Sequence, residues 1–358
     1  MYRPRLRYYF CVMRQTSMRS QLSLIRYLNL LDIVPYLNWD GNWEKEISSA
    51  VKKSGVKYKR KRTADGKSDY DVVFSESTGV TRFEKTILQE GMIQGKTNIK
   101  LNNSISIDTS VINTVYTPNK TRGMLHGIFL KGQRTVDHFK KFTKGLFFIN
   151  GGDPDWDQFS TDDFKSQVKI TNSKYGDRFL VIGLTLHHKE EWAWCEKIVR
   201  LANEKKIKTI IRIHPGLEHN ANKLSKSTQR HVDNVTPYYV LLASSSHAIV
   251  NIQSTMVAEC LYLGKIVGCS PFIGNFIKYG KPHMWIEDHK KWSNAVISKT
   301  GNIVHQNTPR ITTARDLNEF LSTNKPSIDQ NEVDLLFGWK RLPSYSGHLF
   351  EEVEKIVI

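Results

Sequence analysis

Two doubly wound, Rossmann-like α/β domains facing a cleft are the fold class this sequence predicts. Three observations predict it: short apolar runs alternate with amphipathic stretches, a polar and turn-rich break divides the chain near its middle, and the 358 residues are 39% hydrophobic and 24% charged. A chain mixed in this proportion folds, and this length suits two domains of ordinary size.

The alternation is plainest in the second half. FLVIGLTL (179–186) reads as a strand, EEWAWCEKIVRLANEKK (190–206) carries apolar residues at helical spacing, and KTIIRI (208–213) is a second apolar run. That is a βαβ unit. YYVLLASSS, HAIVNI, a helical STMVAECLYLG and KIVG continue the pattern, which implies a parallel sheet covered by helices. The first half is similar in kind, with IVPYLNW, a helix through WEKEISSAVKKSG, then YDVVFSES, a helix at 133–143 and GLFFING. Residues 153–178, with DPDWDQFSTDD and NSKYGD, are polar and supply the break. The expected division is a basic N-terminal arm (1–31), an acceptor-side domain (32–160), a donor-binding domain (161–340) and a C-terminal helix (341–358).

Residues 1–31 carry six Arg and no acid. Such a stretch fits an arm lying on an anionic membrane surface, a transit-peptide mimic, or residues ahead of a start at Met13 or Met18. No apolar run reaches the ~18 to 20 residues a membrane-spanning helix needs. Cys11, Cys195, Cys260 and Cys269 show no CxxC pairing, so neither a zinc site nor a disulfide framework is signalled, and a reducing cytoplasm is the expected home. The balance of 52 Lys+Arg against 35 Asp+Glu gives +17, which calls for a polyanionic partner: nucleic acid, acidic lipid or anionic glycan.

Parallel sheets collect ligands beyond the carboxyl ends of their strands. RIHPG (212–216) stands at such an end, where Pro215 stops the strand, Gly216 permits a turn, and Arg212 and His214 reach the rim. The plainer alternative is a histidine packed at a strand end. Forty residues on, NIQSTMVAECLYLGK places Ser254 and Thr255 after a short strand and ahead of a helix, the arrangement that offers backbone N–H groups to an anion. Glu259, one turn later, either complements the helix dipole or reaches a ribose or sugar hydroxyl.

RIHPG followed by NIQSTMVAECLYLGKIVG resembles the nucleotide-binding half of GT-B transferases, particularly the CDP-glycerol glycerophosphotransferase and capsule-polymer branch. The resemblance implies that Arg212, His214, Ser254, Thr255 and Glu259 hold the donor's pyrophosphate and ribose. MLHGIFLKG (124–132) is similar to that branch's WHGT-x-LK segment, with Leu125 where the Trp stands, and this implies that His126 is the general base. KGLFFINGGDPDWDQF resembles the strand and turn that close the first domain; no counterpart of the branch's PTWR is found, and GLTLHH stands in its place.

Two clusters remain. Asp153, Asp155 and Asp157 alternate as in a calcium loop, but Gln158 occupies the glycine position, so the expectation is a solvated turn, with Asp155 in reserve as a catalytic base. KKSGVKYKRKR (52–62) holds seven positive charges; it is either a solvated face or, through Lys57, Lys59, Arg60, Lys61 and Arg62, the contact surface for a polyanionic acceptor.

The expected activity is transfer of a sugar from a nucleotide-diphosphate donor to a hydroxyl on a polyanion, without metal or resident cofactor. Hydroxymethylated bases of viral DNA are the acceptor first in view, which would place the enzyme in a host cytoplasm. A teichoic-acid or capsule polymer, reached from the inner membrane surface through the N-terminal arm, is the alternative. A non-catalytic nucleic-acid-binding protein is the rival from another class.

Overall fold

The computed structural model describes residues 2–12, 18–39, 41, 44–60, 70–76, 97–101, 126–130, 133–140, 147–150, 152–184, 189–214, 217–251, 256–278, 281–284, 308–326, 331 and 344–358. The chain divides into two compact units, Met1–Phe159 with Asp334–Ile358, and Ser160–Val333.

The first unit is built on β1 (Tyr8–Val12), β2 (Tyr36–Trp39), β3 (Lys59–Arg60), β4 (Val72–Glu76), β5 (Thr97–Leu101), β6 (Gly127–Leu130) and β7 (Phe147–Asn150). Every pairing is parallel and the order is β3-β2-β1-β4-β5-β6-β7, so the winding reverses between β1 and β4. This is the order of a Rossmann sheet.

The expected basic arm is corrected here, because Tyr8–Val12 form an interior strand of the sheet and Met18–Leu30 a helix that covers it. Tyr9, Phe10, Cys11 and Val12 have no exposed surface, as a strand flanked on both sides and covered on both faces requires. The helix Met18–Leu30 buries Leu24, Ile25 and Leu28 on one stripe, and Gln21 donates from Nε2 to the Cys11 carbonyl at 2.9 Å. Two of the arginines find acids far away in sequence: Arg7 binds Asp71 at 2.8 Å and Arg19 binds Asp155 at 2.8 Å. The strand and the apolar stripe of this helix are interior, so the stretch is not a free arm, although Arg3, Arg5, Arg7 and Arg26 keep exposed positions.

The helix Tyr345–Val357 belongs to the same unit. Its Phe350 ring meets Tyr8 at 4.7 Å and Phe74 at 6.0 Å. Its first turn is capped by Asp157, which accepts from the Tyr345 N–H (2.6 Å), the Ser346 N–H (3.0 Å) and the Ser344 hydroxyl (3.1 Å). Near its other end, Glu354 accepts from the Tyr8 hydroxyl at 3.0 Å, the Leu6 N–H at 3.1 Å, the Arg5 N–H and the Tyr2 hydroxyl. The acidic triplet is therefore no solvated turn. Asp153 and Asp155 are buried, and the Asp155 N–H is held by Asp153 at 3.1 Å.

In the second unit, β8 (Phe179–Leu184), β9 (Lys208–Ile213), β10 (His247–Val250) and β11 (Ile266–Cys269) pair in parallel in the order β11-β10-β8-β9, and β12 (Phe272–Lys278) and β13 (Lys281–Met284) form an antiparallel pair. The winding reverses between β8 and β10. Single bridges from Ile211 to Val232 and from Cys269 to Arg310 cover the two edges. One face carries Leu180, Ile182, Leu184, Ile211, Ile213 and Ile249 against Trp194 and Ile198 of the helix Lys189–Glu204 and Leu317 and Phe320 of the helix Ala314–Ser322.

His247, at the amino end of β10, is buried with Nε2 3.1 Å from the Thr323 carbonyl, Nδ1 3.1 Å from the Ser246 hydroxyl and its ring edge-on to Phe320. Burial, assisted by Arg178, lowers its pKa, and the carbonyls of Thr323 and Phe320 oppose the shift. The neutral ring is favoured in the fold. As pH drops below the ordinary histidine value, the unfolded chain takes up a proton the folded one resists, so stability falls with falling pH. Thermal unfolding between pH 7 and 5 should show this, with a slope of at most about 1.4 kcal/mol per pH unit from one group. His247→Asn should flatten it; an unchanged slope would assign the dependence elsewhere, with His126 the next group of the same sign.

Candidate functional site

In a doubly wound sheet the ligand crevice lies beyond the carboxyl ends of the strands, at the reversal. In the second unit that place is the end of β8 and β10. Gly183, next to last in β8, marks a close approach: a Cβ there would stand 2.8 Å from Met256 Cε and 3.3 Å from Val250 Cγ1, so the methionine side chain would have to shift. The missing side chain lets the helix Met256–Tyr262 settle against the strand end.

Arg212 is the register partner of Gly183. Registered residues on parallel neighbours point to the same face, so Arg212 projects to the side on which Met256 sits, away from the core built on Ile211 and Ile213. Its Nη1 lies 3.4 Å from the Asp233 carbonyl and 3.5 Å from Asn234 Oδ1. Its Nε is buried and has no acceptor among the described residues. Burial lowers the guanidinium pKa, Glu218 and Asp233 oppose the shift, and the group stays charged.

His214 is exposed one residue past β9, and its N–H donates to the Leu184 carbonyl at 2.8 Å, so the ladder extends to it. Pro215, Gly216, Ser254 and Thr255 lie outside the described residues. Glu259 sits in the Met256–Tyr262 helix but is buried, and its Oε1 accepts from the Tyr238 hydroxyl at 2.7 Å. The fold thus brings Arg212, His214 and the Glu259 helix to one edge of one sheet. Asp233 backs this edge: burial would raise its carboxyl, but the Tyr175 hydroxyl and the Thr236 and Val235 donors outweigh burial and hold it well below the usual carboxylate range.

The first unit places its candidates differently. His126 precedes β6 and its carbonyl accepts from the Phe147 N–H at 2.9 Å, where β7 begins. It is therefore at the amino end of the sheet, about 13 Å along β6 from the carboxyl edge at ~3.3 Å per residue. This corrects the expectation that His126 opens onto the ligand side; the strand follows the histidine instead of leading to it. Burial pushes its pKa below the ordinary value. Asp155 does lie on the carboxyl side, past β7, and both oxygens are engaged, one with Ser23 Oγ at 3.0 Å and the other with Arg19 Nε at 2.8 Å.

Within the basic run, Lys61 and Arg62 lie outside the described residues. Arg60 is bound through both terminal nitrogens to Glu44 at 2.9 and 2.7 Å and stacks 4.0 Å over Trp39, so its charge is matched inside the unit. Lys59 Nζ lies 5.8 Å over Tyr36, and the Lys57 backbone N–H donates to Asn29 Oδ1 at 2.6 Å.

No family model matches the sequence, and no curated protein matches it. Solved structures do. The S. aureus MnaA–UDP co-structure is similar at 13% identity with a TM-score of 0.59, over 98% of this chain and 97% of that one. The glycotransferase of kitacinnamycin is similar at 11% identity with a TM-score of 0.58, over 98% and 99%. The wall teichoic acid polymerase TagF, soaked with CDPG, is similar at 10% identity with a TM-score of 0.55, over 98% and 88%. The fold is GT-B.

Within this GT-B chain, four residues that shape the candidate site had no motif to announce them: Gly183, Asp233, Asn234 and Tyr238. Gly183 sits inside an apolar run, where the one available signal was that a glycine is costly in mid-strand and usually marks a close approach. Asp233 and Asn234 precede Thr-Pro in a turn whose partners are Arg212 and Tyr175, and sequence spacing does not reveal such partners. Among the described residues, no helix is long and apolar enough to cross a membrane, and no group of His, Cys, Asp and Glu side chains gathers into a metal-sized cluster.

Proposed function

We propose that this GT-B chain is an enzyme that takes a nucleotide-diphosphate sugar as donor and moves the sugar to an acceptor hydroxyl, with the nucleotide held by the second unit. The observation that carries the reading is Arg212, a half-buried cation on the carboxyl side of a doubly wound sheet whose Nε–H has no acceptor among the described residues. A nucleoside diphosphate supplies such an acceptor and such a charge. MnaA with UDP and TagF with CDPG support the donor class.

Chemically, the bond from the anomeric carbon to the diphosphate oxygen breaks, the acceptor oxygen bonds to that carbon and passes its proton to a carboxylate, the role held in reserve for Asp155, and the nucleoside diphosphate leaves with its charge increased. Arg212 stabilises that charge as it grows, and exposed His214 stands beside it. In this reading Ser254 and Thr255 bind phosphate oxygens, and Glu259, once released from Tyr238, receives a donor hydroxyl. On the acceptor side Asp155 with Arg19 is the polar pair at the ligand edge. No metal or resident cofactor enters the scheme.

Glycerophosphate transfer from CDP-glycerol is a second reading, favoured by the similarity to TagF with CDPG and by the resemblance at RIHPG. A polyanionic acceptor, hydroxymethylated DNA included, rests on the net charge of +17 and the 52–62 run. With Arg60 held by Glu44 and Trp39, the run offers less charge to an acceptor than its count suggests.

Thermal unfolding in the presence of UDP, CDP, a panel of UDP-sugars and CDP-glycerol tests the proposal. The matching nucleotide should stabilise the fold by about 2.7 kcal/mol at a hundredfold excess over Kd. Mass spectrometry of acceptors incubated with the best donor then separates hexose from glycerophosphate transfer. If no nucleotide raises the midpoint while DNA does, the chain is a nucleic-acid binder and the enzyme reading is lost.

A further inference from the structure

The outer edge of β9 is covered by residues 231–236. The Ile211 N–H donates to the His231 carbonyl at 2.8 Å, and the Asp233 N–H donates to the Ile211 carbonyl at 3.0 Å. Backbone pairing stops there and a side chain continues it. Asn234 Oδ1 accepts from the Ile213 N–H at 3.1 Å and stands 3.5 Å from Arg212 Nη1, which also faces the Asp233 carbonyl at 3.4 Å. The turn that carries this amide is held firmly: the Asp233 carboxylate accepts from the Val235 N–H (2.9 Å), the Thr236 N–H (2.9 Å), the Thr236 hydroxyl (2.7 Å), the Tyr175 hydroxyl and Lys174 Nζ (3.3 Å).

A guanidinium has five N–H donors in a fixed planar fork. Both acceptors of the 233–234 turn engage Nη1. The edge left over is Nε with Nη2, the side that pairs with two oxygens of one phosphate. We propose that Asn234 is a positioning residue for the donor diphosphate: it occupies Nη1 of Arg212 and the last N–H of β9, and so turns the Nε–Nη2 edge of the guanidinium toward the phosphates. The inference rests on the nucleotide reading above and adds a residue that never touches the ligand. It also predicts selectivity, because what Asn234 secures is the phosphate contact and not the nucleoside.

The test is calorimetric titration of the full chain with UDP and CDP, and with uridine and cytidine. Asn234→Ala should weaken the tighter-binding diphosphate by about tenfold, the scale of one hydrogen bond to a charged group, while the matching nucleoside stays within about twofold. Asn234→Asp keeps the acceptor for Ile213 but pairs its charge with Arg212; it should weaken the diphosphate further, and more so at low salt. In an Arg212→Ala background, Asn234→Ala should change nothing more. Equal losses for diphosphate and nucleoside, or a lowered melting midpoint with the affinity ratio unchanged, would make Asn234 a strand cap only and overturn the proposal. If neither UDP nor CDP binds the wild type, the nucleotide reading itself fails and this inference falls with it.

Discussion

Arg212→Ala is expected to reduce kcat/KM by 10²- to 10³-fold, roughly the loss seen when one preorganised donor to a developing charge is removed. The reasoning starts from the strand. Arg212 is placed by its register with Gly183, half-buried by its neighbours, and given two acceptors on one terminal nitrogen. A cation desolvated to this degree interacts strongly with a diphosphate, and more strongly as the sugar departs and charge builds on the leaving oxygen. Binding of UDP or CDP should therefore weaken less than turnover does. Arg212→Lys keeps the charge but loses the planar fork, so it should recover affinity only in part. Steady-state kinetics with the best donor, beside a melting curve to confirm folding, gives the measurement. Turnover within threefold of wild type in Arg212→Ala would remove the residue from the site and leave His214 and the Glu259 helix without their central cation.

The second unit was the more legible of the two, and the reason is local. FLVIGL, HAIV and IVGC are buried almost throughout in a parallel sheet and read as apolar runs, KTIIRI keeps a buried TII centre between its charged residues, and each lies within a residue or two of its expected bounds. The helix Lys189–Glu204 between two of them shows its buried stripe openly. YYVLLASSS was legible only as part of the alternation; it is the helix Tyr238–Ser244, because Pro237 starts it and Ser245 ends it.

In the first unit the reading failed where partners are distant. YYFCV is as apolar as any strand in the chain, yet the arginines around it, with no acid nearby in sequence, made the whole stretch look like a surface arm. Asp71 supplies an acid to Arg7 from 64 residues away, and Asp155 one to Arg19 from 136 residues away. His126 failed for another reason. Its motif fixed a neighbour, Gly127, but not on which end of a strand the pair would fall. Arg212 and His214 were legible together because KTIIRI marks its own carboxyl end; Ser254 and Thr255 keep their sequence-based reading, since they lie outside the described residues.

The largest loss of stability is expected from Glu354→Ala, in the C-terminal helix of the first unit. Glu354 lies in the C-terminal helix, is 5% exposed, and gathers the start of the chain around one carboxylate: the hydroxyls of Tyr2 and Tyr8 and the backbone N–H groups of Arg5 and Leu6. These donors lead directly into β1, an interior strand of its sheet at the point where the winding reverses. Burial alone would raise the carboxyl, but the four donors outweigh it and lower its pKa. Replacing the carboxylate by a methyl group strands two backbone N–H groups and the buried Tyr8 hydroxyl, which should cost about 3–5 kcal/mol. Glu354→Gln keeps one acceptor oxygen for Arg5, Leu6 and Tyr8 and should lose about half as much. The lowered pKa has a pH signature as well. The stabilisation is complete above the unfolded value of 4.5 and disappears as pH falls through the lower folded value, so Glu354→Gln should unfold with a flatter acid limb than wild type. Denaturant melts at pH 7 and pH 3.5, read alongside hydrogen exchange at residues 5 and 6, carry the test. A Glu354→Ala variant within 1 kcal/mol of wild type by the denaturant melts, or unchanged protection at those two amides, would mean that the aromatic packing of Phe350 on Tyr8 and Phe74 pins the helix without the carboxylate.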